Sequence, residues 1–277
     1  MLGSTRAEIT KLVRRPASWL LLAVAVVLSL TFTYLVPYAG ANGTAGGAPS
    51  AGRGIAQTLP DQLVGNSIGG FPVFAGAILL ILGVLAVGGE YGWGTWKTLL
   101  AQGPSRLAVY GAKVAAVALA SLAIVLALFA AGAVTSAAIA AAEGAPAHWP
   151  PAADLLAGIG AGWLMATMWA GLGVVLAVAL RGVALPIGLG LVWLMAVQNL
   201  LSAIAAPLLD WVAALQRWLP GPNAGSLAAS LGATPTPRGG DAGRGRARAG
   251  RDGRVPDPLR RHRRPAAEPP RHRVERM

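Results

Sequence analysis

The stretch Val114–Ala142 reads VAAVALASLAIVLALFAAGAVTSAAIAAA, without a charged residue from end to end. A helix crosses the roughly 30 Å hydrocarbon core of a bilayer with about 20 mostly apolar residues, so this run predicts a membrane span with length to spare. Working outward in both directions, the same reading applies to Ala17–Val36, Phe71–Gly89, Leu155–Leu180 and Gly182–Leu209. The expectation is an all-α polytopic membrane protein with five visible transmembrane helices, near residues 17–36, 71–89, 114–140, 155–180 and 183–206 of a membrane domain covering 17–231.

Composition agrees. The 277 residues are 55% hydrophobic and 12% charged, with mean hydropathy +0.56, whereas about a quarter of a soluble domain is charged. Nothing outside the spans alternates as a half-buried sheet would, so no soluble catalytic domain is expected. The chain has no cysteine, which excludes disulfides, thiolate chemistry and cysteine-ligated metal. His148, His262 and His272 are scattered and form no metal-binding pattern. Glu143, Asp154 and Asp210 flank spans and read as span ends rather than acid–base pairs. Gly94-Thr-Trp-Lys-Thr98 has the lysine and threonine of a phosphate loop but not its glycine spacing, with Trp96 before the lysine. No bound nucleotide, cofactor or metal is expected.

Residues 1–16 predict an amphipathic interfacial helix. Thr5 and Glu8 have capping-box spacing. Ile9, Leu12 and Val13 share a face, while Arg6, Lys11, Arg14 and Arg15 are placed to meet lipid headgroups. The alternative is a signal peptide ending near Ala39-Gly-Ala41, but the apolar core is longer than the 7–15 residues usual in a signal. With the N-terminus cytoplasmic, Arg6, Lys11, Arg14, Arg15, Lys97, Arg106, Lys113 and Arg181 fall on one side and only Arg53 and Arg217 on the other. By the positive-inside rule this predicts a multi-pass protein of the plasma (inner) membrane with its N-terminus in the cytoplasm. Pro37–Gly70, rich in glycine, alanine, proline and serine, reads as an irregular, mobile outer loop without a binding site.

Trp211 and Trp218 predict an outer interfacial helix after the fifth span, and Ser226–Leu231 looks like the start of a further crossing. From residue 232 to 277 the composition turns to arginine, proline and glycine, predicting a disordered tail. Residues 238–277 alone carry thirteen arginines and five acids, most of the net +12. Five spans would put these arginines outside, against the asymmetry upstream. Two readings follow: a basic tail for anionic lipid or nucleic acid, or a GC-rich gene read out of frame, for which no nucleic-acid partner is expected.

The segment between the second and third spans, Gly88-Gly-Glu-Tyr-Gly-Trp-Gly-Thr-Trp-Lys-Thr-Leu-Leu-Ala-Gln-Gly-Pro-Ser-Arg106, is the most specific stretch. Trp93, Trp96, Lys97 and Leu100 follow helical spacing, and Pro104 marks an end. Elsewhere, Gly158 and Gly162 at i and i+4 allow close helix approach, and Gln198 and Asn199 are adjacent carboxamides suited to bonding a neighbouring helix. Met165, Met168 and Trp169 make a stripe better read as core than as a substrate path. No Asp, Glu, Lys, Arg or His lies inside an expected span, which disfavours an ion-driven carrier.

The leader Glu8-x-x-Lys-Leu-x-Arg-Arg-Pro16, Glu90-Tyr-x-x-Gly-Thr-x-Lys-Thr-Leu-Leu, and Pro104-Ser-Arg106 with Lys113 together resemble the permease subunits of ABC-2-type transporters. The resemblance implies six spans per subunit, the last being missing here. It also implies a homodimer or heterodimer of permeases, and a separate ABC ATP-binding subunit that holds ATP and Mg. It makes Glu90–Arg106 a cytoplasmic coupling helix, with Glu90, Tyr91, Trp93, Thr95, Lys97 and Arg106 facing the ATPase. As single residues, Lys97, Arg106 and Lys113 read equally as positive-inside anchors, and Trp93 and Trp96 as interfacial aromatics. The implied function is export of an amphipathic or lipid-like substrate. The alternative is a non-transport assembly or anchoring subunit with basic termini.

Overall fold

A computed structural model describes residues 2–44, 51–92, 94, 105–200 and 219–233. These are helical, with no strand among the described residues. Helix α1 spans Leu2–Arg14. A continuous helix α2, Pro16–Ala41, includes a π-helical turn at Thr31–Leu35. Then follow a short helix α3, Leu63–Ile68, the long helices α4, Phe74–Gly92, α5, Arg106–Ala142, and α6, Ala152–Leu180. Helix α7, Ala184–Val192, runs into a second π turn at Trp193–Val197. Helix α8 is Pro220–Ser230.

Pro16–Ala41, Phe74–Tyr91, Leu107–Ala142 and Ala152–Leu180 are long and apolar enough to cross a membrane, and Ala184–Val197 is a shorter apolar helix. The chain is an all-α polytopic membrane protein. Helix α5 has 37 residues, about 55 Å at 1.5 Å per residue, so it outruns a roughly 30 Å hydrocarbon core.

The bundle centres on α4 against α6. Along α4, Leu79, Leu80, Val84 and Val87 are buried, and along α6 so are Ala166, Trp169, Ala170 and Ala177. These positions recur at three- and four-residue spacing, one face of each helix. Glycines bring the two backbones together. A Cβ at Gly83 would strike the carbonyl of Ala170, one at Gly173 the carbonyl of Leu80, and one at Gly76 the Trp169 indole. Small residues are how helices associate where lipid is as apolar as the side chains.

Three expectations change. The first span does not stop at Val36 but runs to Ala41, through a buried Pro37. Proline cannot donate to the carbonyl four residues back, and the helix widens into the π turn just before it instead of ending. The segment read as a loose loop is partly ordered: Leu63–Ile68 is wholly buried between α5 and α6, Asn66 donates to the Gln57 carbonyl at 2.8 Å and Thr58 to that of Ile55 at 2.7 Å. Leu63, Val64, Ile68 and Phe71 supply the apolar surface that holds it inside, the setting in which irregular backbone is tolerated at membrane depth. Finally, α1 begins at Leu2, so Thr5 lies within the helix and no capping box forms. The tail from 234, Trp211 and Trp218, and the fifth span beyond residue 200 lie outside the described residues.

Candidate functional site

The elements that converge at one end of the bundle are α1, the last turn of α4 and the first turns of α5. Glu8 and Lys11, one turn apart on α1, form an ion pair at 2.7 Å. Lys113 of α5 lies between Glu8 and Glu90, with its Nζ 2.9 Å from Glu8 Oε2 and 2.6 Å from Glu90 Oε1. Lys11 reaches the same Glu90 oxygen at 3.2 Å. Among the described residues, two carboxylates and two ammonium groups thus meet in one node. The Lys113 side chain is 1% exposed and that of Glu90 7%, whereas Lys11 remains 40% exposed at the rim.

The node joins residues far apart in sequence, and its neighbours strengthen the join. Arg15 donates through Nη1 to the Leu85 carbonyl at 2.7 Å, tying the α1–α2 junction to α4. The hydroxyls of Tyr91 and Tyr110 meet at 3.5 Å. Helix α5 starts at Ser105, whose Oγ accepts from the Ala108 N–H at 3.3 Å, an N-cap of the ordinary kind. Across the base, the turn after α6 brings Gly182 against α4: a Cβ on Gly88 would strike the Gly182 carbonyl. That turn needs Arg181 in the left-handed region, φ 50° and ψ 43°, a position uncommon for a residue with a side chain.

Charge decides the electrostatics. Burial alone would raise the Glu8 carboxyl, but hydrogen bonds and charge from Lys11 and Lys113 outweigh it and hold Glu8 below the ordinary glutamate value. Burial would lower Lys11, and its bond to Glu8 with the charge of Glu90 holds it above the ordinary lysine value instead. Both groups therefore stay ionised at neutral pH. An ion network this enclosed is weak evidence for added stability, but removing one member strands its partners. The arrangement contains no nucleophile paired with a base. It ties α1 to the ends of α4 and α5.

A family model for the ABC-2 family transporter protein matches residues 5–197, more than half of the chain. The chain belongs to the ABC-2 transporter family. Neither curated proteins nor solved structures gave a match. The matched region of this ABC-2 protein takes in all four residues of the node and all four long apolar helices. As a member of that family it is the membrane component of a transporter.

The residues singled out from sequence are placed as follows. Glu90 and Tyr91 sit in the last turn of α4, with the Glu90 carboxylate turned inward to Lys113. Arg106 opens α5. Trp93, Thr95 and Lys97, with Trp96 and the rest of 95–104, lie outside the described residues. Gly158 and Gly162 are buried in α6: Gly158 lies against Val64 and Phe129, and Gly162 against Val125 and Ile68. Both therefore face within the chain. Gln198 is buried, and its side chain abuts Gly221 at the start of α8; Asn199 lies in the same turn, Gln198–Leu200.

Arg15 and Lys113, read as a headgroup contact and an anchor, instead point into the protein, and Lys11 at the rim pairs with Glu8 and Glu90. The sequence carried one clue, the Glu8-x-x-Lys11 spacing that places both on one helix face. Lys113 and Glu90 are 23 positions apart, and no local pattern pairs them. The contacts of Gly83 with the Ala170 backbone and of Gly173 with the Leu80 backbone were hidden among 37 glycines.

Proposed function

We propose that this ABC-2 protein is the permease subunit of an ATP-driven exporter whose ATP-binding subunit is a separate chain, and that the node transmits that subunit's motion to the spans. The supporting observation is the Glu8–Lys113–Glu90 bridge, which fastens the leader helix to both helices flanking residues 93–104. A force on that connecting segment or on α1 reaches α4 and α5 together, and α4 passes it to α6 through their glycine seam. Rigid-body rocking of packed helices is an established route for such transitions. In this reading Glu90 is a positioning residue, Lys97 and Arg106 meet the ATPase, and two permease copies form the path. The excess of Lys and Arg on the α1 side sets that side in the cytoplasm. The inner membrane is the expected site, and an amphipathic or lipid-like molecule the expected cargo.

The test is co-expression of the full chain with a candidate ABC ATP-binding subunit, purification through a tag on the permease, and reconstitution into lipid vesicles. The expected result is co-purification, with ATP hydrolysis that changes on assembly and is diminished by Lys97→Glu with Arg106→Glu. Absence of co-purification, together with no effect of the two substitutions, would overturn the exporter reading in favour of an anchoring subunit.

A further inference from the structure

The leader helix α1 has a second face. Glu8 and Leu12 lie together on the side packed against α5, both buried. At 3.6 residues per turn, Arg6, Thr10, Val13 and Arg14 fall within an arc of about 100° on the opposite side, and all four are exposed. The four cations of the leader therefore divide. Lys11 and Arg15 have partners within the protein, Glu8 with Glu90 and the Leu85 carbonyl respectively. Arg6 and Arg14 are turned outward and form no ion pair among the described residues. The acid of α1, Glu8, is held in the node, so the outward arc carries two positive charges and no negative one.

The edge of this face indicates what it meets. Trp19, at the start of α2 and 58% exposed, donates through Nε1 to the Val13 carbonyl at 2.7 Å. Val13 is itself 53% exposed, and Leu20 follows Trp19 outward into the span. A tryptophan exposed at the start of an apolar span sits at the headgroup level of a bilayer, and its bond to Val13 fixes the cationic face of α1 at that level. A surface for a water-soluble partner would not run on into the lipid-facing side of a span. Arg6 and Arg14 lie about 12 Å apart along the axis, so the pair extends over a strip of membrane surface.

We infer that the Arg6–Arg14 face of α1 is a docking surface for anionic phospholipid headgroups, with the two guanidinium groups donating to phosphate oxygens and Val13 and Trp19 resting at the top of the acyl region. A zwitterionic headgroup offers the same phosphate but cancels its charge, so anionic lipid is preferred. The inference goes beyond the exporter reading and does not rest on it, because lipid capture is measured on this chain without an ATP-binding subunit.

The experiment reconstitutes the full chain into phosphatidylcholine vesicles containing a minor fraction of phosphatidylglycerol with a photoreactive headgroup. After illumination, labelled peptides are mapped by mass spectrometry. Labelling should concentrate on residues 6–19 and be competed by unmodified phosphatidylglycerol but not by added phosphatidylcholine. A cation beside an anionic surface contributes about fivefold, so Arg6→Gln and Arg14→Gln should each lower labelling by about that factor, and the double variant by roughly 25-fold. Arg6→Lys with Arg14→Lys keeps the charge and should keep the labelling, while added salt should weaken it. Elution as a single species in detergent checks that each variant folds; should the double variant fail that check, the single variants and the salt series carry the test. Arg181→Gln removes an exposed cation outside α1 and should leave the labelling of 6–19 unchanged. An equal loss with Arg181→Gln would overturn the site in favour of general basicity at that end of the bundle. Competition by soluble glycerol phosphate at matched ionic strength would overturn the lipid as occupant in favour of a free phosphate ester. Unchanged labelling in the double variant, with loss of a co-purifying ATP-binding subunit, would overturn the inference by giving the face to that subunit.

Discussion

The seam between α4 and α6 and the node at their base hold the same helix, α4, by opposite means. The seam has no charge and no side-chain hydrogen bond to lose; it depends on Gly83 and Gly173 letting backbones touch. The node has almost no shape requirement of that kind and depends on two lysines balancing two glutamates. Apolar close packing tolerates no added atom, while a charge network tolerates atoms but no uncompensated charge. A transporter can use both, a seam that moves as one body and a node that can be pulled.

The largest effect is expected from breaking the node at its centre. Lys113→Met leaves Glu8 and Glu90 buried beside each other and should destabilise by about 3–5 kcal/mol, read as a fall in the thermal midpoint of the detergent-solubilised protein. Glu90→Gln added to Lys113→Met should restore part of the loss, a non-additivity that a double-mutant cycle measures. Equal and additive losses would show that the node is not a coupled unit.

Next comes the seam. Gly83→Leu forces a side chain into the Ala170 carbonyl and should destabilise by ~3 kcal/mol, whereas Gly171→Leu, a site where an added Cβ meets nothing, should be close to neutral; the pair is compared by yield of monodisperse protein. If both behave alike, the seam is not what holds α4. Ser105→Ala removes the N-cap of α5 and should cost about 1 kcal/mol, visible as faster amide exchange in the first turn of α5 with the seam unchanged.

The smallest effect is on pH. Glu8 is held below its ordinary value, so its contribution is present above that value and lost as acid carries the pH down through the lowered one. Lys11 is held above its ordinary value, so its contribution is present below it and lost as the pH rises through the raised one. Protection of α1 amides should therefore be flat across neutral pH and fall at both extremes. A change near pH 7 would contradict the assignment.

Some of this was legible beforehand because it depends on local sums. A run such as Val114–Ala142 crosses a bilayer whatever its neighbours are, and Pro37 signals disturbance wherever it falls. Charge counts placed Lys11 and Lys113 on the same side of the membrane but assigned them to lipid headgroups and to an interfacial anchor, because a count cannot see that Glu8 and Glu90 arrive at the same spot. The glycine pattern was legible only in part: Gly158 and Gly162 show their spacing openly, whereas Gly83 and Gly173 acquire meaning from the opposing carbonyl.

Sequence alone determined that the chain is an all-helical bundle built for a bilayer, since transfer free energy adds along a helix regardless of what packs on it. Only the tertiary structure decided that Leu63–Ile68 folds inside, that α4 and α6 touch backbone to backbone, and that Lys113 lies between Glu8 and Glu90. Those facts are set by which surfaces meet, and the strength of a buried charge or of a missing Cβ depends entirely on what stands opposite.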